Sequence, residues 1–332
     1  MSVTIEKGMY QHAQQLGMTM TELLNQERPS QEEGLDAFEF ALYEKGINPK
    51  KDKVERFYQT KEDSILFPEY INRNIRVGMY GLGKLDVTLD DIISTTVSID
   101  SATYETVKAE FDEQEDLDLS RVTEKGEFPT VTMSTGKEVI RLAKTGVRIE
   151  ATYEVLRRMK LPVLSVHMQL IGKRLQKKKV AYAVYTLLNG DGNGNAIAPI
   201  VKAVNYDNLL DFMLAMENWE ATVWFSKRAM LKQVMSLAEF KDTRLFETAK
   251  TGALATPFGH DLKKFNWNQG TLGDDQIFQL DKSSALEYVK ETGAELIETD
   301  KVIDRQFEKT VVSEVCGFSK IYPDACLVFQ KS

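Results

Sequence analysis

The sequence predicts an α+β chain of two or three lobes, and three observations carry that prediction. An apolar stripe at helical spacing runs from Leu161 to Leu188, with Leu164, Met168, Ile171 and Leu175 followed by Tyr182, Tyr185 and Leu188. Strict alternation marks strands at 130–133 and 147–153, where Val131 and Met133 and then Val147, Ile149, Ala151 and Tyr153 are interleaved with polar residues. Short strand and helix patterns then mix from residue 196 to the C-terminal end. At 332 residues the chain is near the limit of a single core, hence more than one lobe.

The composition, 42% hydrophobic and 28% charged, excludes collagen-like and disordered classes. A net charge of −8 argues against a dedicated nucleic-acid binder. Cys316 and Cys326 are too few for a disulfide framework or a zinc site, which fits a reducing compartment. Residues 1–17 carry Glu6, Lys7 and His12 where a signal peptide would be apolar. The charge-free run 161–172 is far shorter than the roughly 20 residues of a membrane span, so a soluble protein without a membrane partner is expected.

Residues 1–60 read as short helices with too few large apolar side chains to fold alone. One face is made by Leu35, Phe38 and Leu42 and ended by Gly46. A further helix is expected over 68–76, with Pro68 at its first position and Gly78 as its terminator. From Thr103 to Glu127 nine acids, among them Glu110, Asp112, Glu113, Glu115, Asp116 and Asp118, face only three bases; the plain reading of such a run is a solvated loop. The strands at 130–133 and 147–153 are expected to pair as a hairpin turning at Ser134, Thr135, Gly136 and Lys137. A lone ribbon is marginal in water, so its apolar side needs a partner, such as another subunit.

The long helix is unusual on its polar side. Lys173, Arg174, Lys177, Lys178 and Lys179 extend a run begun by Arg157, Arg158 and Lys160, and no acid lies between Val155 and Gly190. Helices ordinarily intersperse opposite charges at i,i+4; here the negative charge is expected from elsewhere. The stretch 189–196 (NGDGNGNA) is expected to be a plain flexible connection, since its likeness to a calcium loop fails at Ala196 and Lys202. Beyond it come a helix carrying Leu209 and Phe212, a strand 222–225, a helix capped by Ser226, a strand 277–280, a Ser283-capped helix ending at Gly293, and a strand-rich tail with turns at Gly317 and Pro323.

His12, His167 and His260 share no metal-ligand spacing, and His167 is expected as a core histidine of the long helix. Gly81 and Gly83 are half of a dinucleotide fingerprint without its strand–helix context. The cysteines read as buried inert thiols and the methionines as packing. Neither catalytic residues, a cofactor nor a metal is expected.

The order of parts resembles the major capsid proteins of tailed bacteriophages, the HK-ninety-seven-like fold. Residues 121–133 (RVTEKGEFPTVTM) and 144–158 (KTGVRIEATYEVLRR) look like the two arms of that family's extended E-loop. Residues 161–192 (LPVLSVHMQLIGKRLQKKKVAYAVYTLLNGDG) look like its spine helix and the loop after it. Residues 277–286 (IFQLDKSSAL) and 313–329 (SEVCGFSKIYPDACLVF) look like the end of its axial domain and the returning peripheral strands.

The resemblance implies a helical N-terminal arm (1–88), an acidic lead into the peripheral domain (89–120), an E-loop hairpin (121–155), the spine helix and its loop (156–195), an α/β axial domain (196–308) and returning peripheral strands (309–332). It implies a shell protein that self-assembles through hexamers and pentamers in the host cytoplasm and encloses double-stranded DNA without sequence specificity. Portal, scaffolding or decoration proteins are the further partners of such a shell. An encapsulin-type nanocompartment is the alternative, and a soluble α/β enzyme the rival of another class. The contacts expected between copies are the acids Glu110 to Asp118, the turn Thr135, Gly136 and Lys137, and the bases Lys173, Arg174, Lys177 and Lys178. The basic helix also has a reading as a DNA contact, ranked second because each copy brings its own acidic partner stretch.

Overall fold

The computed structural model describes residues 8–16, 18–81, 83, 86–110, 132–135, 139–216, 218–241, 259–266, 272–293, 296–302 and 307–332. Three short helices open it: α1 (Gly8–Gln15), α2 (Met20–Glu27) and α3 (Ala37–Glu44). Capping boxes start two of them, Thr19 with Glu22 and Asp36 with Glu39. Their buried Met20, Leu24, Phe38, Ala41 and Leu42 close, with Val54 and Phe57, over the next helix, α4 (Lys61–Tyr80). The expected helix at 68–76 therefore starts seven residues earlier, with the Thr60 hydroxyl accepting the Asp63 N–H, and Pro68 lies inside it. Burial of Leu66, Phe67, Tyr70 and Ile71 on one face outweighs the backbone bond that Pro68 cannot make. Gly78 does not end α4, because it is packed against another helix; Gly81 caps it.

The strands of the middle region are β1 (Ile93–Ile99), β2 (Thr103–Tyr104), β3 (Val107–Glu110), β4 (Thr132–Thr135), β5 (Ile140–Arg141) and β6 (Ala143–Thr152). The expected hairpin does not form. β4 pairs with β3, Glu110 opposite Thr132 and Val107 opposite Thr135, and β5 pairs with β2. Among the described residues the ribbon is thus built from β2 and β3 on one side and β4 and β5 on the other, and Ser134 and Thr135 belong to a strand rather than to a turn. A period of two identifies a strand but not its neighbour. β6, read as the second arm, finds its partner 155 residues or more away in sequence.

After a short helix α5 (Tyr153–Arg158) comes α6 (Leu161–Asn189), the 29-residue helix that the apolar stripe predicts. The remaining elements are β7 (Ile200–Lys202), α7 (Tyr206–Leu214), β8 (Val223–Ser226), α8 (Arg228–Val234), α9 (Ala238–Lys241), β9 (Asp261–Lys264), β10 (Gln276–Leu280), β11 (Leu286–Glu291), β12 (Leu296–Val302), β13 (Phe307–Lys320) and β14 (Cys326–Lys331). Ser226 sits in β8, and Lys227 is the N-cap of α8. The helix expected to start at Ser283 is β11 instead: Ser283 turns on the Asp281 carboxylate, and Leu286, Tyr288 and Val289 are buried between β1 and β13. Gly317, expected in a turn, lies mid-strand in β13 opposite Val289.

Two sheets organise these strands. In one, β13 is the long central strand: β6 pairs along one edge, residues 143–152 opposite 316–307, while β11 and β12 share the other edge and β1 adds beside β11. The other has the order β7-β14-β10-β8-β9. Residues alternate between two cores across this second sheet. Phe225, Phe278 and Val328 face a central core with β11 and β13, whereas Trp224, Ile277 and Phe329 face α7 and α8.

α6 joins the lobes. Leu161, Leu164 and Met168 complete the core under the N-terminal helices; Val180, Ala183, Val184 and Leu187 enter the central core. Because the buried side of the helix changes between its halves, one member of the predicted stripe, Tyr185, is exposed, and so is His167, expected in the core. The loop 189–196 is built rather than loose. Asp191 Oδ2 accepts the Lys320 N–H, Asn195 Oδ1 accepts the Asp191 N–H, and the fully buried Lys320 Nζ donates to the carbonyls of Leu187 (3.2 Å) and Asn195 (2.8 Å). One of these carbonyls belongs to the last turn of α6, where intrahelical donors run out. Burial depresses the Lys320 pKa and pushes the neighbouring Cys326 thiol up to about 11; Cys316 is buried too, and its thiol pKa is likewise raised, first by burial.

Candidate functional site

The ribbon is anchored at its root and exposed just beyond it at Val107 and Val139. Thr106 is buried, and its hydroxyl shares a 2.7 Å hydrogen bond with Ser319 of β13. The Leu142 N–H donates to the Ala102 carbonyl, Ile140 is buried, and Leu142 lies over Gly317. Tyr104 stands beside Glu287 of β11; burial first, and then that carboxylate, push its pKa up to about 12. One residue past the anchor the exposure jumps: Val107 is 57% exposed and Val139 44%.

The sequence-predicted site residues divide between places. Glu110 ends β3, and Thr135 is an exposed residue of β4. Asp112, Glu113, Glu115, Asp116, Asp118, Gly136 and Lys137 lie outside the described residues. Of the four bases, Lys173, Arg174 and Lys178 are exposed on α6 and, among the described residues, make no ion pair. Lys177 is different. It is half-buried and 3.6 Å from Asp86, which also faces Lys264 at 3.4 Å and accepts from Asn266. Next along the helix, Lys179 pairs with Glu314 of β13 at 2.6 Å. Part of the negative charge that α6 lacks is therefore supplied from within the same chain, by residues too distant in sequence for an i,i+4 pattern to reveal.

A neighbouring feature escaped the sequence reading. Val163, Val166 and Leu170, at i, i+3 and i+7, are 48%, 64% and 48% exposed on α6. They form an apolar strip that runs into the exposed bases Lys173, Arg174 and Lys178. The helical stripe of the sequence pointed to the opposite, buried side. Three apolar residues on the outer face were the available signal, since an ordinary surface helix is polar there.

No family model matches the sequence and no curated protein does. Solved structures do match. The capsid of an empty GTA particle superposes with a TM-score of 0.53 at 12% identity, over 76% of this chain and 92% of that chain. This chain has the HK-ninety-seven-like capsid fold. A virus-like particle from Pyrococcus furiosus gives a TM-score of 0.52 at 10% identity, covering 79% and 98% of the two chains. The capsid of the native GTA particle gives 0.50 at 12%, covering 76% and 93%. In this HK-ninety-seven-like chain, the ribbon just beyond Thr106, at Val107 and Val139, and the outer face of α6, at Val163, Val166 and Leu170, both present exposed apolar side chains.

Proposed function

We propose that the chain is the subunit of a closed protein shell, a major capsid protein whose copies assemble through hexamers and pentamers around double-stranded DNA. The ribbon carries this reading. It leaves the body two strands wide, with Val107 and Val139 exposed, and a two-stranded ribbon gains a covering surface only from something outside its own fold. In an HK-ninety-seven-like fold the surface that fits is the outer face of α6 on a neighbouring copy. Its apolar strip takes the ribbon's stem. The acids Glu110, Asp112, Glu113, Glu115, Asp116 and Asp118 meet Lys173, Arg174 and Lys178, and the segment of Thr135, Gly136 and Lys137 is a further contact between copies. Lys177, already held by Asp86, has a lesser part. Complementary blocks on identical copies set register more than they add energy.

The phage reading is preferred to an encapsulin-type nanocompartment because of the acidic run and the helical N-terminal region. Packaged DNA and portal, scaffolding or decoration partners belong to that reading alone. Particles purified from the producing cells separate the two: nuclease-protected double-stranded DNA is the expected content, and particles filled with an enzyme cargo and no DNA would contradict it.

A further inference from the structure

The two pairings within the ribbon are out of step. Thr103 lies opposite Arg141 and Tyr104 opposite Ile140, yet Val107 lies opposite Thr135 and Glu110 opposite Thr132. The sequence has two residues between Tyr104 and Val107, Glu105 and Thr106, and four between Thr135 and Ile140. Unequal arms bend a ribbon and re-aim it. Thr106 sits at that step, and it is the point where the ribbon is tied down: its hydroxyl is buried against Ser319, which is itself fully buried. On the other arm, Leu142 presses on Gly317. A Cβ at Gly317 would come within 2.8 Å of Leu142 Cδ2 and 3.7 Å of Ile140 Cγ2. Both contacts land on β13, one on each arm, and the ribbon is exposed immediately beyond them.

We infer that Thr106, Ser319 and Gly317 form a clamp that sets the direction in which the ribbon leaves the body. They are positioning residues. Given the shell reading above, on which this consequence rests, the clamp fixes the angle between neighbouring copies and with it the diameter of the particle. A hydroxyl pair in a buried site is suited to this, since removing one partner strands the other without a hydrogen bond, and the bare Cα of Gly317 lets the Leu142 side chain seat close to β13, so that an added Cβ must push its Cδ2 aside.

The test uses full-length Thr106→Val, Gly317→Ala and the conservative Thr106→Ser. Spin labels at the exposed Val107 and Val201 report ribbon direction on the unassembled protein, amide exchange reports the clamp, and electron microscopy reports particle diameter. Thr106→Val and Gly317→Ala are expected to broaden or shift the label distance and to speed exchange at residues 102–106 and 140–142 roughly tenfold, while exchange in α6 and β14 stays at the wild-type rate. Their particles should lose the single diameter of the wild type, and Thr106→Ser should keep all three readouts at their wild-type values. An unchanged label distance in both disruptive variants overturns the clamp. An altered label distance with an unchanged diameter overturns its role in setting shell geometry. A wild type that forms no particles defeats the shell reading, and the label distance then still decides the clamp.

Discussion

Gly78 and Gly172 bring α4 and α6 together backbone to backbone. A Cβ on Gly172 would overlap the Ile75 carbonyl oxygen, and one on Gly78 would overlap the main chain of Gln169. Neither obstacle is the end of a flexible side chain. Beside the crossing, the Ser165 hydroxyl donates to the Asn74 side chain. Through this contact the N-terminal helices α1 to α4 and the long helix pack as one body.

Gly172→Ala is accordingly expected to force the two helices apart and to destabilise the protein by about 1–3 kcal/mol, the usual cost of overpacking. Urea unfolding followed by circular dichroism checks this. An unchanged midpoint would mean that the crossing is not tight.

Lys320→Met keeps the volume and removes the cap on α6. The Leu187 and Asn195 carbonyls then lose a donor in a buried site, at roughly 1–3 kcal/mol for each group left unpaired. The variant also changes the pH dependence. Burial holds the folded-state pKa of Lys320 below its ordinary 10.5, so the unfolded chain binds more protons and this residue makes stability rise with pH up to that value. Denaturant midpoints measured between neutral and alkaline pH should show that rise in the wild type and a flatter dependence in Lys320→Met.

Local chemistry in the sequence was legible where a single element decided it. The period of α6, the burial of Leu209 and Phe212 and the buried cysteines are properties of short stretches, and they appear in the structure. What failed depended on distant partners. Residues 147–153 alternate as a strand should, but their partner is β13, and nothing in the alternation names it. Ser283 has the chemistry of a helix cap, yet Leu286 to Glu291 lie between two strands that dictate an extended backbone. In the candidate site, the bases of α6 were visible, but Asp86 and Glu314, which neutralise two of the lysines there, are brought in by the fold.

The observed pairing defines the segment that can be removed. Deleting Gly126 to Lys144 would take away Ile140 and Leu142 and cut into β6. Deleting Val107 to Glu138, so that Thr106 joins Val139, should leave a folded subunit, with a thermal midpoint within a few degrees of wild type, that forms no particles. If this deletion unfolds the subunit, the ribbon belongs to its own core.

Charge reversal tests the contact between copies. Lys173, Arg174 and Lys178 changed together to Glu should impair assembly, as should reversal of the acids from Glu110 to Asp118, and the double reversal should restore part of it. Exposed pairs contribute only about 0–1 kcal/mol each, so whole blocks must be changed. Added salt should weaken assembly as the Debye length falls to roughly 3 Å at 1 M. If reversing the bases spares empty shells and lowers only genome retention, those bases serve DNA instead.

The most direct measurement is a cryo-electron microscopy reconstruction of the expressed full-length protein at assembly concentrations. Closed icosahedral shells are expected, in which the ribbon of each copy, from Val107 outward, lies on the outer face of a neighbour's α6 at Val163, Val166 and Leu170. A protein that remains monomeric under all conditions, or a ribbon folded back on its own subunit, would contradict this arrangement.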